Sequence, residues 1–120
     1  MTRPGLAVHV GQCHGVGVVT VAGDLSEGNA AVLRTELVDA MGSVGPRLVL
    51  DLRAVRSCVP GTVEAIEGAA NRAWRRGGWV RLAAVPPVVL DAFALDGRCP
   101  IIFADVDEAI ATRAVTGPRP

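Results

Sequence analysis

The side chains with most chemical reach lie near the start of the chain, where Cys13 and His14 are adjacent and His9 precedes them on a β-branched run. A thiol beside an imidazole offers either a nucleophile with its base or two ligands for a metal ion. Neighbouring residues on an extended chain point to opposite sides, so Cys13 and His14 do not easily share one ion, and a loop without a site is the favoured reading. Asp51 follows an apolar strand, close to where open α/β sheets place functional carboxylates. A carboxylate there serves equally well to bind nearby backbone amides. Cys13, His14 and Asp51 together define one candidate class, a small enzyme or ligand-binding protein that uses them in a pocket. No acid and base at a recognisable spacing supports that class, so the chain is read as no enzyme, with no catalytic residue, metal or cofactor assigned.

Two further motifs invite a functional reading and favour a plain one. Gly15-Val16-Gly17 precedes a strand and does not open a helix, which is hairpin chemistry and not a dinucleotide-binding turn. Trp74 and Trp79 flank Arg75-Arg76-Gly77-Gly78, an aromatic and basic patch for a partner or, as periodicity favours, a core Trp74 beside a solvated helix end.

These residues must be positioned by a single domain. The chain has 120 residues, half of them hydrophobic, enough for one core and too few for two domains of ordinary size. Twelve basic residues balance twelve acidic ones, so no field draws the chain to a phosphate backbone or an anionic membrane, and no nucleic-acid partner is expected. Every basic residue is arginine, a bias associated with GC-rich bacterial genomes. The absence of lysine removes P-loop and Schiff-base chemistry. Cys13, Cys58 and Cys99 have no close pairing, so buried free thiols in a reducing cytoplasm are expected. No apolar run approaches the roughly 20 residues that span a bilayer, and the opening residues lead into no signal peptide, which again implies a cytoplasmic protein without membrane insertion.

Periodicity sets the elements. Leu6 to Val10 and Val16 to Val21 are strands of a hairpin across Gly11–Gly15. A helix capped by Asn29 carries Ala30, Leu33, Leu37 and Met41 at helical spacing and stops at Gly42. Gly45-Pro46 turns into Leu48-Val49-Leu50-Asp51-Leu52, the most uniformly apolar strand and therefore the central one. A second helix begins near Pro60, carries Val63, Ile66, Ala70, Ala73 and Trp74, and ends before Gly77-Gly78, with Glu64 and Glu67 early and Arg72, Arg75 and Arg76 late to complement its dipole. Trp79 to Ala84 forms a strand, Pro86 to Leu95 a short helix, Ile101 to Phe103 a strand and Val106 to Val115 a last helix. Strands alternating with helices after a hairpin imply an α/β fold, a mixed and mostly parallel sheet of about five strands with helices packed on it.

The order of these elements, together with Val19-Thr20-Val21-Ala22-Gly23-Asp24-Leu25, a helix containing Leu33-Arg34 and the strand Leu48 to Leu52, resembles the STAS (sulfate transporter and anti-sigma-factor antagonist) domain family. Gly77-Gly78 before a strand, Pro86-Pro87 opening a short helix, and Ile101-Ile102-Phe103 followed by Asp107-Glu108-Ala109 keep the family's spacing. The resemblance implies one STAS-like domain over residues 5–115, with 1–4 and 116–120 as short tails. It also implies a non-enzymatic regulator of transcription that binds another protein, an anti-sigma-factor kinase in the antagonist branch. A subunit of a transporter or other bacterial complex is the alternative within the family, and a homodimer is open.

In antagonists of this family the loop after the central strand carries an Asp-Ser-Ser-Gly type motif whose serine, at a helix N-terminus, is phosphorylated by the kinase. Ungapped counting from Leu52 puts Val59 at the acidic position, Pro60 at the acceptor serine, and Gly61 and Thr62 at the next two. Pro60 has no hydroxyl, so the usual switch is absent or displaced. Thr62 and Ser57 are the substitute acceptors, each with capping or local backbone bonding as the favoured alternative. The expected partner surface is Asp24, Ser26 and Gly28 with Ser57, Cys58, Val59, Pro60, Gly61 and Thr62.

Overall fold

The computed structural model describes residues 2–3 and 5–112. The elements follow as β1 (Thr2–Arg3), β2 (Leu6–Cys13), β3 (Val16–Leu25), α1 (Glu27–Val44), β4 (Arg47–Cys58), α2 (Pro60–Arg75), β5 (Trp79–Ala83), α3 (Pro87–Leu95), β6 (Ile102–Phe103) and α4 (Val106–Ala111). They build one mixed sheet in the order β1-β2-β3-β4-β5-β6. The two-residue β1 and β2 run antiparallel to their neighbours, and β3, β4, β5 and β6 pair in parallel. The expected α/β class and the central place of Leu48 to Leu52 both hold.

Alternation along the strands divides the core in two. Val19, Val21, Leu48, Leu50, Leu52 and Leu82 point to the face covered by α1, α2 and α3, where Leu33, Leu37, Val63, Ile66 and Phe93 complete the main cluster. Val16, Val49, Ala83 and Phe103 point to the other face and pack under α4 through Ala109. The short α4 leaves much of that second face uncovered, so β4 reads as a continuous apolar run only where both faces are buried.

Local chemistry explains most boundaries and corrects several. The hairpin turn is only His14-Gly15, both at positive φ (52° and 77°), the primed two-residue turn whose twist suits antiparallel strands. Cys13 is thereby the last strand residue, paired with Val16. The N-cap of α1 is Ser26 and not Asn29, and the helix continues through Gly42 to Val44, where Gly45 at φ 96° ends it. At the end of α2, Gly78 N–H donates to Ala73 O (2.8 Å) and Gly77 N–H to Trp74 O (3.1 Å), a Schellman closure that needs the positive φ of Gly77. Gly78 then passes so close to the Pro46 carbonyl that a Cβ would collide with its oxygen.

Trp74 is not in the core: it is 49 % exposed, because the buried stripe of α2 runs through Thr62, Val63, Ala65, Ile66, Ala69 and Ala73. The thiols are not uniformly buried either, since Cys13 and Cys99 are exposed and Cys58 is half-buried. The last helix, expected to reach Val115, ends at Ala111, where Thr112 turns extended; Thr2–Arg3, expected in a tail, pair with β2 as β1, and the tail 116–120 lies outside the described residues. Among the described residues, no helix is long and apolar enough to cross a membrane.

Candidate functional site

The C-terminal ends of β3 and β4 lie side by side and each feeds a helix. Parallel pairing sets Asp24 opposite Ser57 and Leu25 opposite Cys58. Val59 N–H donates to Leu25 O (2.9 Å), which holds the turn into α2 against the turn into α1. Two register shifts in this pairing, between Thr20 and Ala22 and between Gly23 and Asp24, absorb the extra residues of β4 and carry it six residues past Leu52. Asp51 is therefore mid-strand and not at a strand end. It is half-buried, and its Oδ1 accepts from Arg53 N–H (3.1 Å), the backbone role foreseen for it.

Asp24 is the hub of this end. Its amide donates to Gly5 O (2.6 Å), and Gly23 is held so near Gly5 O that a Cβ would collide with it. Its carboxylate accepts from Ser57 Oγ (3.0 Å) and from exposed Arg56 Nη2 (3.4 Å), while its carbonyl accepts from Asn29 Nδ2 (3.0 Å). The Arg56 pair is solvent-exposed and adds little stability. Sequence reasoning missed Arg56 and gave Asn29 a capping role. Arg56 carried no signal because its partner lies 32 residues away.

Pro60 is the first residue of α2, where its fixed φ fits and its missing N–H removes a donor that would find no helical acceptor. Val59, the N-cap, has no side-chain oxygen, so α2 starts without a side-chain cap. Ser57, Pro60, Gly61 and Gly28 are exposed, and Asp24, Ser26, Cys58 and Val59 are half-buried. These eight residues lie on the two neighbouring turns that lead into α1 and α2.

Thr62 departs from the expectation. It is fully buried (0 % exposed), because the third position of α2 turns its side chain inward onto the helix's packed stripe. Its hydroxyl proton goes to Val59 O (2.7 Å), the local backbone bond weighed against a modification role. Cys58 Sγ lies 2.9 Å from the Thr62 hydroxyl oxygen. Burial pushes the Cys58 thiol pKa up, and the Thr62 contact offsets part of the shift, so Cys58 carries little thiolate at neutral pH. In this conformation Thr62 can neither touch a partner nor accept a phosphate, and Ser57 is the reachable hydroxyl.

The rival residues do not converge. Cys13 stands on the rung of Val16 and Asp51 on the rung of Thr20, four residues or about 13 Å apart along β3, and His14 lies in the turn beyond. Among the described residues, no three His, Cys, Asp or Glu side chains cluster as metal ligands would.

Comparison with known proteins fits this geometry. A family model described as "Mlab, STAS domain" matches residues 8–97. No curated protein matches the sequence. Among solved structures, the chain is similar to an anti-sigma factor antagonist from Mycobacterium paratuberculosis, with a TM-score of 0.76 at 21 % identity over 92 % of this chain and 96 % of that one. It is similar to the anti-sigma factor antagonist SpoIIAA in its unphosphorylated form, with a TM-score of 0.73 at 17 % identity over 87 % and 93 % of the two chains. It is also similar to part of the murine anion transporter Slc26a9, with a TM-score of 0.68 at 19 % identity over 83 % of this chain but 18 % of the transporter.

Proposed function

The chain belongs to the STAS domain family, and on that premise we propose that it is a non-enzymatic protein-binding module of the anti-sigma-factor-antagonist kind whose partner docks on the rim around the α1 and α2 starts. The observation that carries the reading is the exposed turn Ser57 to Gly61, which sits where the resemblance puts the family's phosphorylation switch and has Pro60 at the acceptor position. A phosphate there would add about −2 charge at a helix N-terminus, where dipole and free amides favour anions and a partner would be repelled. A pyrrolidine ring offers no oxygen for it. The module then binds constitutively, in a bacterial cytoplasm, with an anti-sigma-factor kinase as the proposed partner and regulation through abundance.

A second reading rests on two findings, the "Mlab" description of the matching model and the likeness to part of Slc26a9. It makes the chain a STAS subunit of a transporter assembly, and it also puts a protein on the domain.

Intact-mass measurement after incubation with an anti-sigma-factor kinase and ATP tests the antagonist reading. The expected result is no stoichiometric phosphate, with any trace mapping to Ser57. Stoichiometric phosphate on another residue would show that the assigned register is wrong.

A further inference from the structure

Toward the opposite end of the parallel strands, α4 lies on the second face of the sheet and packs Val106, Ala109 and Ile110 over Val49, Ala83 and Phe103. Six residues are well short of the roughly 12 at which an isolated helix is even marginal in water, so α4 depends on what holds it down. Its first turn is closed locally, with Asp105 Oδ1 accepting from Glu108 N–H (2.8 Å) and Glu108 Oε1 from Ala104 N–H (3.4 Å). Its last turn is held from the sheet. Arg81, only 5 % exposed in the middle of β5, donates from Nη1 to Ala109 O (2.7 Å) and Thr112 O (2.6 Å). A helix end leaves such carbonyls without an internal donor, and its dipole favours a cation there. The Trp79 ring, 3.7 Å from the Arg81 Cζ, stacks on the guanidinium and fixes its plane.

Among the described residues, these two bonds are the only hydrogen bonds that join α4 to a strand. The others made by residues 104–112 run between residues no more than four apart. The last turn is also backed on one side only, because a cleft of about 400 Å³ opens beside it, with Arg47, Trp79, Arg81, Ile110 and Thr112 among its walls. The docked state carries a cost at the same point. Arg81 Nε is buried without a hydrogen-bond partner, and no carboxylate among the described residues lies within ion-pair distance of the guanidinium. Lifting α4 returns that charge to water, which offsets part of the apolar contact and the two hydrogen bonds given up.

We propose that α4 is a strap latched by Arg81, which hinges about Asp105 and opens as one unit while the rest of the domain stays folded, uncovering Val49, Ala83 and Phe103. The strap is independent of the rim around α1 and α2, since it lies on the other face of the sheet, and it stands whether or not a partner docks there.

Native-state hydrogen exchange of the full chain, read by NMR at rising urea concentrations below the unfolding transition, tests the proposal. The amides of Ala109 and Thr112, bonded to Asp105 O and Glu108 O, should exchange about tenfold or more faster than those in the middle of α1 and α2. Their opening should depend only weakly on urea, because lifting a six-residue helix exposes little surface. Arg81→Met keeps the apolar stem but offers the α4 carbonyls no donor, so protection at Ala109 and Thr112 should fall about tenfold or more. Exchange of the wild-type α4 amides only through global unfolding, with the urea dependence of α2, overturns the strap. Unchanged protection of α4 in Arg81→Met overturns Arg81 as its latch. Should Arg81→Met not fold, the wild-type urea series decides the matter alone.

Discussion

The two ends of the parallel strands solve opposite problems. At the C-terminal end of β3 and β4 the buried hydroxyl of Thr62 is spent on Val59 O with Cys58 beside it, and the small residues Ser57, Pro60, Gly61 and Gly28 face outward beside the exposed Asp24–Arg56 pair. At the N-terminal end of β4 and β5 stand the larger side chains Arg47, Trp79 and Arg81, and the buried Arg81 guanidinium keeps its Nε without a hydrogen-bond partner. A surface of small residues beside the Asp24–Arg56 pair, around two helix starts, suits a protein that must lie close to the backbone. One sheet thus presents two ends of different chemistry because its strands run parallel, so that all their starts and all their ends gather separately.

The comparison depends first on the strand that joins the ends. Leu50 is fully buried in the middle of β4, and Leu50→Ala should destabilise by about 2–5 kcal/mol through lost burial and a residual cavity. The denaturation midpoint reads this, and an unchanged midpoint would mean β4 is not the core strand.

A matched pair of glycine substitutions sharpens the contrast between the ends. Gly78→Ala forces a Cβ into the Pro46 carbonyl beside the Arg81 cleft and should cost about 1–3 kcal/mol. Gly61→Ala meets nothing within 4 Å at the first turn of α2 and should stabilise by about 0.5–1 kcal/mol, since alanine is the better helix former. Thermal unfolding of both variants should give shifts of opposite sign, and shifts of the same sign would contradict the packing described at one end.

The smallest expected effect is kinetic. Cys13 and Cys99 are exposed, and Cys58 is half-buried with its pKa raised by burial. At neutral pH iodoacetamide should label the two exposed thiols first. Cys58 should follow only as the pH rises above the ordinary thiol value of 9.0, because a raised pKa delays thiolate formation. Early labelling of Cys58, read by peptide mass mapping, would mean that its pocket is open.

Much of this was legible in the sequence where local signals agree with one another. Pro60 at a helix start, the charge order of α2 and the Gly77-Gly78 stop all point one way, and the structure places α2 there. The later half of β4 was not legible, because Arg53, Ala54, Arg56 and Ser57 are exposed and two register shifts break the alternation that marks a strand. Thr62 and Trp74 went wrong for one reason: the helical stripe was drawn through the larger side chain, whereas the buried face turned toward the small residues Ala65 and Ala69. Arg81 gave no signal at all. Its partners are the α4 carbonyls 28 and 31 residues on, which strand periodicity cannot see.

The central claim is that the rim around the α1 and α2 starts is where a partner docks, and the affinity of an anti-sigma-factor kinase for wild type and Pro60→Glu tests it most directly. Glutamate at the first position of α2 is exposed and favoured by the helix dipole, so the fold should be kept while a fixed negative charge stands on the rim. The account predicts wild-type binding that the substitution weakens about tenfold or more, as expected for an unpaired charge buried at an interface. Equal affinity for the two proteins, with the fold of both intact, would contradict it and move the partner to another surface.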